Sequence, residues 1–509
     1  MLMQSMSPAA AMLASLGGVA LLGALGKTPR LRDMAALLVA AVQLICVLAM
    51  LPAVMGGQTP SFTLLSFVPS VAIAFKVDAL GLIFAITASA LWLVTTVYAI
   101  GYLRATQSAA QTRFHVCFAL TMTATMGVAF ASNLLTMYLF YEAMTLATYY
   151  LVAHEGTDEA YAGGRKYVGY HLGTSIAFLL PAIILSFHLG GTFDFVPGGI
   201  FGDGAIESQR GLMIVVYVLF LAGSAKVALM PMHGWLPAAM VAPVPVSALL
   251  HAVAVVNAGA FGLLRVMFDV FGPEAMQALG LTTLTVYVAS FTILAASFYA
   301  LRLDSLKALL AYSTIGQLAY IVLGGALLNP NGMLGGIVHI VNHGVSKITL
   351  FLCAGAIAVA AHRKYLSEMG GVGRRMPWTM AAFVVGACSM IGFPATAGFV
   401  SKWFLLVGAY EAEQVLAMVV LVLSTLLSAG YYLRAIGVLG GTRQPTRPGD
   451  GVHGPAAHTP PLSGVRDPSR WMLWPLVFTA ALTVLLGVLP EATVLALARA
   501  VPGVSAVAP

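Results

Sequence analysis

The sequence predicts an all-α polytopic membrane protein with about 14 transmembrane helices. Of its 509 residues, 60% are hydrophobic and only 8% are charged, whereas an ordinary soluble domain carries about 25% charged residues. Apolar runs of about 20 residues, the length that a helix needs to cross a bilayer, recur from one end of the chain to the other. Short polar connections separate most of these runs, so no soluble domain is expected between them.

The candidate spans follow one another along the whole chain. Positive charge follows the first apolar run instead of preceding it, the reverse of a signal peptide, so this run is expected to remain as a transmembrane helix. The predicted spans lie near 8–26, 34–56, 78–102, 114–130, 133–153, 167–189, 211–231, 244–270, 279–300, 305–327, 332–361, 377–408, 414–440 and 471–490.

Basic residues are distributed unevenly between the predicted loops. Counted alternately, the loops of one side hold most of the Lys and Arg, and the other side has little beyond Lys76, Arg210 and Arg499. By the positive-inside rule, both termini then face away from the cytoplasm of a bacterial inner membrane. These loops explain the net charge of +7, so no nucleic-acid partner is predicted. The stretch 441–470, rich in Pro, Gly, His and Thr, is predicted to be a flexible cytoplasmic loop.

No cofactor or metal site is predicted. Four cysteines lie in apolar runs, at Cys46, Cys117, Cys353 and Cys388. They lack the paired spacing of a disulfide framework, a zinc site or an iron–sulfur cluster. Gly26-Lys27-Thr28 resembles the end of a phosphate-binding loop, but Leu21 stands where that loop needs its first glycine. The chain is therefore expected to have no redox chemistry of its own.

Proline and glycine interrupt two of the predicted spans. The first interruption contains Pro231 and Pro237, followed by Pro243, and the second contains Gly392-Phe-Pro394. Backbone groups freed at membrane depth are tolerated only where they line protein or a water-filled cavity. Paired interruptions therefore indicate the transport site of an internally repeated transporter, with ordinary proline kinks as the alternative.

Three charged residues lie inside apolar runs. Glu142 is in the middle of one span, Lys226 lies just before the first break, and Lys402 lies just after the second. An ionisable side chain in hydrocarbon costs a few kcal/mol, so each is a candidate functional residue. Burial favours a neutral lysine and a nearby glutamate favours a charged one, so a change in their separation would move a proton. Snorkelling of either lysine to the interface is the alternative.

One span carries a polar stripe. His339, His343 and Lys347 are spaced i, i+4, i+8, so they lie on one helix face over about 12 Å. Because imidazole exchanges protons near neutral pH, this stripe can act as a proton relay when water fills the gaps. Histidines at i, i+4 also bind zinc, but no glutamate stands between these two and no third ligand follows.

Two further residues are expected to connect the breaks with this stripe. His251 begins a similar apolar span and would bridge Lys226 to the region of His343, although alone it would be a buried histidine with satisfied hydrogen bonds. Lys307 lies one helical turn from Asp304, near a helix start. An interfacial salt bridge with Asp304 and a relay position are equally open for Lys307.

Taken together, these segments resemble the antiporter-like membrane subunits shared by respiratory complex I, Mrp-type cation/proton antiporters and membrane-bound hydrogenases. The resemblance covers roughly residues 75–440. Five segments carry it: Tyr141-Glu142-Ala-Met-Thr-Leu, Ala225-Lys226-Val-Ala-Leu-Met-Pro-Met-His-Gly-Trp-Leu-Pro237, Pro243-Val-Pro-Val-Ser-Ala-Leu-Leu-His251-Ala, Asp304-Ser-Leu-Lys307-Ala-Leu-Leu-Ala-Tyr-Ser-Thr and His339-Ile-Val-Asn-His343.

The resemblance implies two inverted five-helix repeats, each with a broken helix, joined by a central polar axis. It implies that Glu142 pairs with Lys226 as the switch of the first repeat, that Lys307 and His343 are central relay positions, and that Lys402 is the exit station. The resulting division is an N-terminal helical part at 1–113, repeats at 114–270 and 271–440, a loop at 441–470, and a C-terminal helix and tail at 471–509.

The expected function is that of a proton-translocating subunit of a multi-subunit Mrp-type cation/proton antiporter. Gly398-Phe-Val-Ser-Lys402-Trp-Phe-Leu-Leu is most similar to the D-type membrane subunits of Mrp antiporters or their hydrogenase counterparts, and no long amphipathic arm follows the last span. Other membrane subunits, the lipid bilayer, protons and Na+ as the second cation are the partners that this implies.

Other functions stay open at this point. Within the same family, the chain would be a proton-pumping subunit of an NADH:quinone oxidoreductase or of a membrane-bound hydrogenase, or part of an uptake complex for inorganic carbon. Outside it, the chain would be a membrane scaffold whose buried charges only pair helices, or a secondary transporter for an organic solute.

Overall fold

The computed structural model describes residues 2–68, 71–441 and 462–504, and most of them are helical. Every apolar range predicted from the sequence contains a helix, whole or broken. Among the described residues, 10 helices are long and apolar enough to cross a membrane. Two shorter apolar helices, Arg210–Gly223 and Pro377–Ile391, precede the two predicted breaks. The prediction of a polytopic helical membrane protein is confirmed, while the count of 14 crossings, the inverted repeats and the division into parts stay predictions.

A small three-stranded β-sheet accompanies the first helices of this predominantly helical chain. Strand β1 (Leu2–Gln4) pairs in parallel with β2 (Thr59–Val68), and β2 pairs antiparallel with β3 (Val71–Lys76). The strands pair the backbone groups of a connection between two spans, and the last residue of β3, Lys76, also donates from its N–H to the carbonyl of Phe130 outside the sheet (2.7 Å). The N-terminal elements are β1 (Leu2–Gln4), α1 (Ser7–Ala24), α2 (Pro29–Leu48), α3 (Leu51–Met55), β2 (Thr59–Val68) and β3 (Val71–Lys76).

The following part of the chain, which contains Glu142 and Lys226, is also helical. Side chains of Asp78, Asn133 and Thr157 accept hydrogen bonds from the first turns of three of them, which explains where these helices begin. These helices are α4 (Ala79–Ala105), α5 (Gln111–Ala129), α6 (Leu134–Val152), α7 (Asp158–Thr174), α8 (Leu180–Gly190), α9 (Asp203–Ser208), α10 (Arg210–Gly223), α11 (Trp235–Ala238), α12 (Val244–Ala252), α13 (Val255–Arg265) and α14 (Gly272–Ala278).

The remaining helices carry the polar stripe and Lys402. Ser305 and Asn329 cap the two helices that hold Lys307 and the stripe. These helices are α15 (Leu281–Arg302), α16 (Leu306–Ala326), α17 (Pro330–Ala361), α18 (Val372–Arg375), α19 (Pro377–Ile391), α20 (Ala397–Glu411), α21 (Val415–Leu439), α22 (Arg470–Val488) and α23 (Ala496–Arg499).

Burial separates central helices from peripheral ones. We compare the share of buried residues in the most apolar stretch of each span. This share is 100% in the range Val244–Ala278 and 83% in both α16 and α17. The corresponding figure for α1, α21 and α22 is 39%. The residues of the predicted polar axis therefore lie mostly on helices that other helices surround, away from lipid.

The first break begins earlier than predicted. We expected Lys226 inside a helix that is broken after it at Pro231, but α10 ends at Gly223 and Lys226 lies in the short 3-10 helix Ala225–Val227. Ala228 has a left-handed φ of 56°, which a regular helix does not accommodate. The chain is thus already irregular before the first proline, and a second interruption, at 253–254, separates α12 from α13.

The second break lies where the sequence predicts it. Helix α19 ends at Ile391, and α20, which carries Lys402, begins at Ala397. Gly392 has a left-handed φ of 95°, which terminates α19 in the way glycine usually ends a helix. Pro394 lies in the non-helical connection.

The predicted flexible loop at 441–470 falls largely on residues 442–461, which lie outside the described residues. Its last part, 462–469, is non-helical and is attached to α19. The Asp467 carboxylate accepts hydrogen bonds from the Thr379 hydroxyl (2.7 Å) and from the Thr379 N–H (3.0 Å). A carboxylate from a distant part of the chain therefore satisfies the first turn of α19.

Candidate functional site

Glu142 lies near the middle of α6 and is partly buried. Its Oε1 accepts a hydrogen bond from the Ser175 hydroxyl (2.7 Å), and its Oε2 is buried without a hydrogen-bond partner. Ser175 is the first residue of a π-helix, Ser175–Leu179, that interrupts the span between α7 and α8. Such π-bulges occur frequently at functional sites. A carboxylate with one free oxygen inside a helical bundle is able to accept a proton or a hydrogen bond.

Lys226 is fully buried, which rules out snorkelling for this residue. Its ammonium donates to the Thr145 hydroxyl (2.7 Å) and lies 3.5 Å from the centre of the Tyr141 ring. Tyr141 and Thr145 are one helical turn apart on α6, the helix that carries Glu142. Lys226 and Glu142, both among the described residues, form no ion pair within 4 Å. The lysine therefore rests against the helix of the glutamate without direct contact between the charges.

Lys307 is the second residue of α16 and is partly buried. Its ammonium donates to the carbonyl of Ala242, just before α12 (2.8 Å). The salt bridge considered for it is not formed, because the Asp304 carboxylate accepts instead from the Ser367 hydroxyl (2.6 Å) and the Ser367 N–H (2.9 Å). Lys307 thus connects α16 to the start of the helix that carries His251.

The polar stripe lies on one face of α17, as its spacing predicts. His339, His343 and Lys347 are all completely buried, and the centres of the two imidazole rings are 6.1 Å apart. The Lys347 ammonium donates to the carbonyl of Leu310 (3.1 Å) and to the Tyr432 hydroxyl (3.2 Å). A completely buried ammonium that is held by neutral partners is expensive structurally, which favours a functional reason for it.

His339 connects the stripe to the second broken helix. Its Nδ1 is hydrogen-bonded to the Ser401 hydroxyl (2.8 Å), and its Nε2 is hydrogen-bonded to the Gln317 amide oxygen (3.1 Å). Ser401 directly precedes Lys402 on α20. The Tyr320 ring lies 5.5 Å from the imidazole of His339 and 5.3 Å from the Lys402 ammonium, so it stands near both groups.

Lys402 is partly buried and turns its ammonium toward the break. The ammonium donates to the carbonyls of Met390 (2.7 Å) and Ile391 (3.0 Å), the last two residues of α19. A cation at a helix C-terminus is favoured by unpaired carbonyls and by the negative end of the helix dipole. The main-chain carbonyls at the start of the break therefore fix the position of the Lys402 ammonium.

The remaining predicted positions are less informative. His251 lies on α12, but its side chain is outside the described part of the structure. Pro231 lies in the irregular segment that follows Lys226, and Pro237 lies within the short helix α11. Among the described residues, no group of His, Cys, Asp and Glu has the arrangement of a metal site.

A buried ion cluster around Arg265 on α13 was not predicted from the sequence. This guanidinium donates to both oxygens of Asp78 (2.6 Å each) and to Asp269 (2.8 Å). Burial would raise the pKa of Asp78, which precedes α4, but Arg265 and the Gly81 N–H outweigh burial and hold that pKa below its usual value. Arg265 and Asp269 at i, i+4 inside an apolar run were the signal that could have revealed the cluster.

Comparison with known proteins gives the chain relatives of two kinds. Residues 131–428 match the family model described as NADH:quinone oxidoreductase/Mrp antiporter, TM. NADH-quinone oxidoreductase subunit N of Desulforudis audaxviator is 33% identical over 351 residues, which are 68% of this chain and 68% of that protein. Subunit M of Rickettsia prowazekii is 30% identical over 324 residues, 63% of this chain and 64% of that protein.

A protein of the antiporter kind is also similar. A probable K(+)/H(+) antiporter protein of Rhizobium meliloti, its A/B subunit, is 29% identical over 469 residues, which are 89% of this chain but only 44% of that protein. The chain thus spans less than half the length of this relative, and slightly less than two thirds of the Rickettsia protein.

Two solved structures share the fold. A chain of the Mrp complex from Dietzia sp. DQ12-45-1b has a TM-score of 0.83 and 22% identity, covering 97% of this chain and 96% of that chain. A chain of the membrane-bound sulfane sulfur reductase, an archaeal respiratory membrane complex, has a TM-score of 0.82 and 20% identity, covering 98% of both chains. The relatives are subunits of multi-subunit membrane complexes, and the family match extends over more than half of the chain and includes Glu142, Lys226, Lys307, His343 and Lys402. The chain belongs to the family of membrane subunits shared by NADH:quinone oxidoreductases and Mrp antiporters.

Proposed function

We propose that this chain is the proton-translocating membrane subunit of a multi-subunit cation/proton antiporter of the Mrp type. The observation that carries this proposal is that a lysine, Lys226 or Lys402, lies at each of the two breaks, and that α17 carries a completely buried stripe of His339, His343 and Lys347. Each of these groups can bind and release a proton.

The first half of the proposed path is the switch formed by Lys226 and Glu142. The Lys226 ammonium is bonded to Thr145, and one oxygen of Glu142 is free of protein partners. Because the two charges are not in contact, a small movement of the irregular segment around Lys226 would change their electrostatic interaction. Approach favours both charged forms, and separation favours release of the proton from the buried lysine.

The second half runs from the stripe to Lys402. His339 bonds to Ser401, and the Tyr320 ring lies beside both His339 and Lys402. Protons would pass along α17 to the second break, with Lys307 and His251 as relay positions between α12 and α16. On the positive-inside rule, both termini are proposed to face away from the cytoplasm, with 441–470 on the cytoplasmic side.

A proton-pumping subunit of a redox-driven complex is the second candidate. The names of the relatives, NADH-quinone oxidoreductase subunits N and M, favour it. The same axis would serve in either complex, and the partner subunits decide between them. Purification of the tagged chain with its partners should yield small antiporter subunits, whereas co-purified quinone-reductase or hydrogenase subunits would favour the second candidate.

Two substitutions of Lys226 test proton translocation. In inside-out vesicles that contain the complete complex, Lys226→Ala should lower proton movement per assembled complex by about 100-fold. Lys226→Arg should be equally impaired, because arginine keeps its proton. Lys27→Ala, at an exposed lysine, is the matched control and should behave like the native chain.

The result also separates a relay from a scaffold. A scaffold in which the buried charge only holds helices together predicts that Lys226→Arg restores function and that Lys226→Ala fails to assemble. Native proton movement in assembled Lys226→Ala would refute the proposed function. Replacement of Na+ by K+ in the same vesicles identifies the exchanged cation, for which Na+ is our proposal.

A further inference from the structure

His171 on α7 is a buried histidine that the proposed path does not use. It is 1% exposed, and neither ring nitrogen has a hydrogen-bond partner. Buried polar groups in proteins are nearly always paired, with protein or with ordered water. Two unpaired nitrogens on one buried ring therefore call for a ligand.

The position of this ring relates it to the switch. The imidazole lies edge-on to the rings of Tyr167 (4.4 Å) and Trp235 (4.3 Å). Trp235 Nε1 donates to the carbonyl of Ala225, the residue before Lys226 (2.8 Å), which fixes the indole beside the lysine. His171 therefore packs against Trp235, whose indole is hydrogen-bonded to the residue that precedes Lys226.

His171 is also connected to the other side of the switch. It lies one helical turn before Ser175, whose hydroxyl donates to Glu142. Residues at i and i+4 share a helix face. The imidazole and the hydroxyl therefore lie on one face of the same span.

Other unpaired polar atoms surround this position. On α6, the hydroxyls of Tyr141 and Thr148 and the Oε2 atom of Glu142 are buried, and on α7 the Tyr167 hydroxyl is buried close to that of Thr148; none of these atoms makes a hydrogen bond of normal geometry in the structure. Tyr141 and Thr148 are at i and i+7, which places them on one face of α6. Polar stripes of two neighbouring helices thus contribute several unpaired donors and acceptors beside Lys226.

We propose that Tyr141, Thr148, Tyr167 and His171 line an internal water site, and that His171 passes protons between this water and Lys226. A buried water typically makes about three hydrogen bonds to otherwise unpaired polar groups, and this site offers them. This inference rests on the proposed function and adds to it a ligand, water, and a further relay residue.

The proton transfer balances without any other reactant. An N–H bond of the Lys226 ammonium breaks, a water molecule passes the proton on, and an N–H bond forms at the unprotonated nitrogen of the imidazole. The imidazolium then releases the proton from its other nitrogen to water on the side of Tyr167 and Thr148. No electrons are transferred, and the imidazole returns to its neutral form in the other tautomer.

Two variants of His171 test the relay in vesicles that contain the assembled complex. His171→Leu removes both nitrogens, and His171→Gln keeps a donor and an acceptor but does not titrate in this pH range. Both should lower proton movement per assembled complex by about tenfold or more. His188→Leu and His188→Gln, at an exposed histidine of α8, are matched controls that should transport at the native rate.

Each outcome has a definite meaning. Native transport by His171→Gln would overturn the relay, because hydrogen bonding without titration would then be sufficient, and native transport by His171→Leu would overturn the inference altogether. If Lys226→Ala abolishes transport and His171→Leu does not, only this inference fails. Native transport by Lys226→Ala would instead refute the proposed function.

A second measurement does not depend on variants that fold. A density map of the native complex that resolves ordered waters should show a water oxygen within about 3 Å of a His171 nitrogen. The water site would be overturned if the map showed no water oxygen beside the His171 ring while it resolved ordered waters elsewhere in the same membrane region.

Discussion

At the first break the Lys226 ammonium is fully buried and bonded to a side chain, whereas at the second the Lys402 ammonium is partly buried and bonded to main-chain carbonyls. Lys226 lies against the helix of a titratable partner, Glu142. Lys402 lies at the end of a half-helix whose carbonyls and dipole never titrate. The two lysines are therefore equivalent in sequence pattern but not in environment.

The two environments indicate which part of the path is expected to switch. A lysine near a carboxylate changes its proton affinity when the distance between them changes. A lysine bonded to fixed carbonyls changes its affinity only when it leaves them or when the break moves. The first break is therefore the expected coupling element, and the second is the expected relay.

The largest effect should come from removing the charge of Glu142. Glu142→Gln keeps the shape and an oxygen that can accept from Ser175, so assembly should be preserved. Proton movement per assembled complex should fall by about 100-fold, because the switch loses its titratable partner. Glu413→Gln, at an exposed glutamate, is the control. Native transport by Glu142→Gln would remove the distinction between the two breaks.

At the second break, Lys402→Arg should reduce proton movement by about tenfold, a smaller loss than at Glu142. Arginine can still donate to the carbonyls of Met390 and Ile391, so the break should keep its structure. Comparison of proton movement with the amount of assembled complex distinguishes the two functions of this lysine. Full activity of Lys402→Arg would mean that Lys402 serves only as a helix cap.

A smaller effect is expected for Thr145→Val, which removes the hydroxyl that accepts from Lys226 but keeps the side-chain shape. A hydrogen bond to a charged group is worth about 1.5–3 kcal/mol, so the ammonium should lose its fixed position and transport should fall severalfold. Thr121→Val, which removes a bond within its own helix, is the matched control. An equal loss in both variants would attribute the effect to packing.

The buried Arg265 provides a contrast, because two carboxylates neutralise it. Asp78→Asn should leave proton movement per assembled complex unchanged but destabilise the protein by about 3 kcal/mol, measured by thermal unfolding in detergent. The folded protein holds the pKa of Asp78 below its unfolded value, so the ionised carboxylate stabilises the fold at neutral pH. The difference in stability between Asp78→Asn and the native chain should become smaller as the pH falls below about 4, because Asp78 is then protonated in the native chain as well. Lower transport without lower stability would contradict a structural assignment.

Much of the candidate site could be predicted from the sequence. Charges inside apolar runs are costly in any membrane fold. Glu142, Lys226 and Lys402 could therefore be predicted as candidate functional residues from the sequence. The period of the helix placed His339, His343 and Lys347 on one face, because that spacing is a local property. His171 was missed because a single histidine carries no such pattern.

Hydrophobicity, proline and charge act locally. The helical membrane class, the positions of the breaks to within a few residues and the charged groups could therefore all be predicted from the sequence. The contacts of those charged groups, in contrast, depend on how distant segments pack together. Lys226 donates to Thr145, which is 81 residues away in the sequence. His339 is hydrogen-bonded to Ser401, 62 residues away, and Asp304 accepts from Ser367, 63 residues away. The small β-sheet was decided in the same way, because strand pairing depends on contacts between segments that no local pattern specifies.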